Sequence, residues 1–102
     1  GFTPMGPWMV TADEIADPQA LTVSSWVNDE LMQCGYTGDM IFSVATLIAY
    51  ISRTMTLEPG DVIVTGTPAG SGGFRKPPRY LQPGDRVRIE VSQVGVLEHI
   101  IG

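Results

Sequence analysis

The sequence predicts an α+β domain, mostly antiparallel β with one main helix, and three observations carry that reading. Residues Leu21 to Val27 alternate apolar and polar as a half-buried strand does. Leu47, Ile48, Ile51 and Met55 recur at helical spacing. The phrase Leu-x-Pro-Gly-Asp occurs twice, at Leu57–Asp61 and Leu81–Asp85, each time ahead of a β-branched run. A chain of 102 residues has the size of one domain, one that buries roughly 60–70% of its unfolded surface. Its 43% hydrophobic content excludes a disordered chain.

The elements follow in order. Thr3–Val10, with Pro4 and Pro7, reads as an extended segment lying over a core. Thr11 and Glu14 have the spacing of a capping box, and Asp17-Pro18 ends any helical turn begun there. The Leu21–Val27 strand leads to Asn28-Asp29, residues that tolerate positive φ and so suit a tight hairpin into Glu30–Gln33. Gly35-Tyr-Thr-Gly38 then interrupts. Ser43 caps a helix over Val44 to Thr54, whose apolar stripe packs on the core. Pro59-Gly60 and Pro83-Gly84 suit the centres of type II turns, launching strands at about 61–65 and about 85–91. Gln93-Val-Gly95 turns the chain into a last strand, Val96–Ile101.

Charge narrows the partners. Residues 1–50 hold six acids and no Lys or Arg, while 51–102 hold five acids and all six basic residues. Five of those six (Arg75, Lys76, Arg79, Arg86, Arg88) fall between 75 and 88. A net charge of −5 repels a polyanion, and Pro77-Pro78 stiffen the segment, so a partner subunit, an acidic substrate or plain solvation is expected in place of nucleic acid. No apolar run approaches the ~20 residues of a membrane span. The first residues lack the basic and apolar regions of a signal peptide. The lone Cys34 precludes an intrachain disulfide and fits a reducing compartment, so the expected location is the cytoplasm.

The chemistry concentrates in one loop. Val62, Ile63 and Val64 empty into a stretch with Gly66, Gly70, Gly72 and Gly73 and hydroxyls at Thr65, Thr67 and Ser71. Such a loop exposes N–H and O–H donors that suit a carboxylate or phosphate oxygen. The competing reading is a surface connection whose glycines only make turns. No Lys-Ser/Thr follows, so this is not a Walker-type phosphate site. One Cys and one His make no zinc pattern, and no Gly-x-Ser-x-Gly elbow occurs. None of the eleven acids has a partner two residues away, the spacing that sets two carboxylates on one face of a strand. His99, beside Glu98, reads as a strand residue, not a general base. The residues supply an anion pocket without a catalytic engine.

Four fragments in register, Gly1–Trp8, Asp39–Ser43, Leu57–Gly70 and Arg75–Pro78 followed by Leu81–Asp85, closely resemble the C-terminal half of the fumarylacetoacetate hydrolase family domain. The resemblance runs from Gly1 to about Val96, and Thr65-Gly-Thr-Pro-Ala-Gly70 is its most specific part. It implies a partial mixed β-sandwich roll, usually paired as a homodimer. It also implies a metal-dependent enzyme, of the kind found in aromatic catabolism, acting on 2-oxo acids or β-dicarbonyl compounds by C–C hydrolysis, decarboxylation or keto–enol isomerisation. By the same resemblance Thr67 matches the threonine that holds the substrate carboxylate. Gly66, holding the turn, and the loop-shaping Thr65 and Gly70 are carried over with it as substrate-binding residues. The divalent cation, Mg²⁺ or Mn²⁺, its carboxylate ligands, the lid His/Glu pair and the site lysine belong to sequence that would precede Gly1. Residues 1–102 therefore read as the C-terminal portion of a catalytic domain, with no catalytic or metal-binding residue of their own. Ser71-Gly72-Gly73-Phe74 departs from the family's usual Val-Gly-x-Gly at that place. The alternative function is a non-catalytic binding or dimerisation module using the Gly-rich loop.

Overall fold

Side-chain alternation and a tight turn build the first hairpin. In a computed structural model that describes residues 3–102, β1 (Thr22–Val27) and β2 (Glu30–Tyr36) pair antiparallel. Gly1 and Phe2, the start of the Gly1–Trp8 motif, lie outside the described residues. Asn28 and Asp29 both take positive φ, 49° and 67°, as the primed hairpin turns demand. β3 (Arg86–Val91) pairs with the other edge of β1, and β4 (Gly95–Ile100) with β3. The sheet order is β2-β1-β3-β4, antiparallel throughout, and the described residues hold one α-helix, α1 (Val44–Ser52). This is the expected α+β class.

Several elements differ from expectation for physical reasons. The 61–65 strand does not form. Val62 and Val64 are 65% and 86% exposed, and the run pairs with no strand among the described residues. A β-branched run becomes a strand only beside a neighbour that takes its N–H and C=O groups. β2 runs through Gly35 instead of stopping before it, because Gly35 pairs with Val23. The helix ends two residues early in a looser turn, and its stripe is only partly covered. Leu47 and Ile51 are half-buried, while Ile48 and Met55 stay 44% and 60% exposed. Ser43 does cap it, accepting from the Thr46 N–H at 3.1 Å. The capping box at Thr11 is absent. Ala12–Glu14 is a single 3₁₀ turn closed by backbone alone, with Asp17-Pro18 too close for a second turn.

The alternation of β1 is broken by a bulge. Ser25 faces Gln33 and Trp26 faces Leu31, so Met32 has no partner across the pair. Met32 turns inward and joins Leu21 and Val87 as the buried apolar core, with Ser24 and Asp85 as buried polar companions.

The repeated Leu-x-Pro-Gly-Asp phrase folds twice in the same way. Gly60 and Gly84 take φ of 96° and 89°, and each Asp N–H donates back to the residue before Pro. Each Asp carboxylate also accepts that residue's N–H, at 2.8 Å. Only Asp85 goes further. Its second oxygen accepts Asn28 Nδ2 at 2.7 Å, and Arg79 Nη2 donates to the first at 2.8 Å. The hairpin turn, the 75–80 segment and the start of β3 therefore meet at one carboxylate. The Gln82 N–H, then Arg79 and Asn28, hold its pKa down to about 2. Unfolded, where its pKa is 3.8, this carboxyl takes a proton more readily than in the fold. Its contribution is therefore complete above about pH 4 and is lost as pH falls toward 2. Asp85→Asn should flatten that acid limb of the stability–pH profile, measured by urea denaturation across pH 2 to 6.

Candidate active site

The loop from Thr65 to Arg75 lies along the bulged edge of β2, and several contacts hold it there. Pro68 sits directly over Gly35, where a Cβ would come within 2.6 Å of the proline ring. Gly70, at φ 106°, lies so close to the Met32 carbonyl that a Cβ there would collide with it, leaving no room for a side chain. The half-buried Arg75 donates from Nη2 to the same Met32 oxygen at 2.7 Å and from Nε to the Gly70 carbonyl at 3.1 Å. Gln33 donates from Nε2 to Thr67 Oγ1 at 2.7 Å and to the Pro68 carbonyl at 2.8 Å. The bulge that frees Met32 thus creates the surface on which the loop is fastened.

Above this fastening lies an open cavity of about 620 Å³. Thr65, Gly66 and Thr67 form one wall, Tyr36 at the end of β2 and Thr37 just past it another, and Ile41, Phe42 and Leu47 an apolar rim. Gly66, at φ 99°, turns the backbone so that the two threonines flank it. Among the described residues no Lys, Arg or His lines the cavity, and Asp39 is the one carboxylate that does. Its polar groups are therefore mainly neutral hydroxyls and amides. Among the described residues, no three His, Cys, Asp or Glu side chains come together as a metal-ligand group.

Of the residues singled out from sequence, Thr65, Gly66 and Thr67 share the cavity wall, whereas Gly70 lies outside it against Met32. Gln33 and Arg75 escaped the sequence reading as members of this constellation. No motif spacing joins them to the loop; only the pairing of β2 and the bulge bring them there. The basic segment is engaged within the chain: Arg79 with Asp85, Arg86 with Asp29 at 2.6 Å, and Arg88 with Glu90 at 3.1 Å. Arg88 also lies over the Trp26 ring at 4.9 Å. His99 sits in β4 opposite Val87, away from the cavity.

The family model of the fumarylacetoacetate (FAA) hydrolase C-terminal region matches residues 1–101. The chain belongs to the fumarylacetoacetate hydrolase family. Family relatives include the mitochondrial oxaloacetate tautomerases Fahd2a of Rattus norvegicus and FAHD2A of Homo sapiens, each 49% identical over 94% of this chain and 31% of theirs. The fold agrees with that of a fumarylacetoacetate hydrolase from psychrophilic Exiguobacterium antarcticum, with a TM-score of 0.92, 47% identity, and coverage of 96% of this chain and 35% of the other. The maleylpyruvate hydrolase of Sphingobium sp. SYK-6 matches with a TM-score of 0.85 and 44% identity, over 94% of this chain and 34% of its own. That hydrolase also has a structure in complex with manganese(II) and pyruvate. The chain spans about a third of the length of the relatives it matches. Family members are thus hydrolases, isomerases and tautomerases. Among the described residues no helix is long and apolar enough to cross a membrane.

The fastening of the loop is testable. Gly70→Ala forces both an unfavourable φ and a clash with Met32, and should destabilise the fold by about 1–3 kcal/mol in urea denaturation. Hydrogen exchange over residues 66–71 should quicken in Arg75→Met, which loses both loop bonds while keeping the apolar stem.

Proposed function

We propose that residues 1–102 are the C-terminal portion of the catalytic domain of a metal-dependent enzyme acting on 2-oxo acids or β-dicarbonyl compounds, and that this portion grips the substrate carboxylate. The Thr67 hydroxyl is the central donor, with Gly66 and Thr65 presenting the adjoining backbone and Gly70 shaping the loop from beneath. One observation carries the reading: the cavity wall offers neutral donors but no cationic side chain. Neutral donors orient a carboxylate without balancing its charge, which leaves a site suited to an anion that arrives with a cation. The manganese and pyruvate complex of the related maleylpyruvate hydrolase supports the pairing.

The described residues do not themselves fit a divalent ion, so we place Mg²⁺ or Mn²⁺ on polypeptide outside residues 1–102. A carboxylate grip serves C–C hydrolysis, decarboxylation and keto–enol isomerisation alike, because each can leave the carboxylate beside the oxo group intact. We further propose a homodimeric enzyme working in the cytoplasm, without nucleic-acid or membrane partners. A pure binding module built on segment 75–88 is disfavoured, since Arg75, Arg79, Arg86 and Arg88 already have partners within the chain.

Two measurements test the reading. The 102-residue chain assayed with Mg²⁺ against acylpyruvates and oxaloacetate should be inactive; clear turnover would place the catalytic centre within it. In the complete enzyme, Thr67→Val keeps the shape and deletes the hydroxyl, and should weaken substrate binding by about 1–3 kcal/mol. Unchanged KM and kcat would remove Thr67 from the site.

A further inference from the structure

We infer that Gln33 is a positioning residue that sets the polarity of the Thr67 hydroxyl, committing its proton to the cavity and so selecting an anionic ligand group. The inference rests on the proposed carboxylate grip and adds the side chain that makes Thr67 a donor.

A threonine hydroxyl can donate one hydrogen bond and accept two, and its proton turns toward whichever acceptor is on offer. If the nearest neighbour accepted that proton, the oxygen would show only lone pairs to the cavity and would repel a carboxylate. Gln33 prevents this, and its amide orientation is dictated by two bonds. The Pro68 carbonyl can only accept, so the group facing it at 2.8 Å is the amide NH₂. On the other side, the Gln33 carbonyl oxygen accepts the Ser25 hydroxyl at 3.0 Å, across the register pair that joins β1 to β2. The remaining amide proton points at Thr67 Oγ1, 2.7 Å away. Thr67 therefore accepts from Gln33, and among the described residues its own proton goes to no protein acceptor. Thr67 lines the cavity and Gln33 does not, so Gln33 acts through Thr67 without touching a ligand. Accepting one bond also polarises the hydroxyl and strengthens the one it donates.

Isothermal titration calorimetry of oxalate into the Mn²⁺-loaded complete enzyme reads this directly, in a double-mutant cycle of Gln33→Met and Thr67→Val. Thr67→Val alone should weaken oxalate about tenfold or more, and Gln33→Met alone about fivefold. In the T67V background, Q33M should have almost no further effect. If T67V binds oxalate as tightly as the parent, the carboxylate grip itself fails, and the role of Gln33 with it. A weakening by T67V with none by Q33M overturns the inference alone and leaves the grip standing. So do equal losses from Q33M in both backgrounds, the signature of a side chain that merely holds the loop through Pro68. Should Q33M fail to fold, the near-isosteric Q33E takes its place in the same cycle. Its carboxylate would take the Thr67 proton, so its loss at pH 7 should be larger with Thr67 present than in the T67V background, and equal losses again overturn the inference.

Discussion

Where β2 carries one residue more than β1, Met32 loses its partner across the hairpin, and its carbonyl becomes the anchor for a loop more than thirty residues further along the chain. Arg75 and Gly70 both meet that oxygen, one by hydrogen bonding and one by the absence of a side chain. Gln33, the next residue in β2, completes the attachment at Thr67 and Pro68. The position of the Thr65–Thr67 wall therefore depends on a one-residue irregularity in a strand. A regular β2 would pair Met32 in the ladder and place Gln33 in a different register with the loop.

The second centre of organisation is Asp85. The two copies of Leu-x-Pro-Gly-Asp make the same turn with the same backbone closure, yet only the later copy meets Asn28 and Arg79. One carboxylate then ties the hairpin turn to the segment that carries Arg75 toward the cavity loop. The arginine-rich stretch that looked in sequence like a surface for partners is largely consumed by such ties. Exposed ion pairs such as Arg86–Asp29 contribute little to stability, but they remove free positive charge.

The apolar side chains around the cavity are thinly covered. Ile41 is 93% exposed and Phe42 60%, and the helix has no fully buried residue. By contrast, Val87 is buried in the sheet, where it lies opposite the half-buried Val27 across the β1–β3 seam. Polar donors and a rigid fastening are thus built within residues 3–102, while the apolar rim above them stays open. Such a wall can orient a carboxylate but cannot by itself exclude water from it.

Local patterns settled a good deal. The Asn28-Asp29 hairpin, the Ser43 cap, both Pro-Gly turns and the two C-terminal strands follow from residue types whose preferred φ, ψ and hydrogen bonds are satisfied within a few positions. That Thr65, Gly66 and Thr67 share one wall was legible for the same reason, since they are neighbours in one loop. The missing 61–65 strand and the half-covered helix face were not legible, because pairing and burial belong to distant neighbours. The reach of Arg75 to Met32 joins segments 43 positions apart, and it rests on a bulge set by the pairing register of the hairpin, which no residue pattern announces. The direction of the Thr67 proton is of the same kind, decided 34 positions away at Gln33. Sequence alone determined which groups could donate to an anion; the tertiary structure decided which way they face, since a hydroxyl takes its polarity from the partner that folding places beside it.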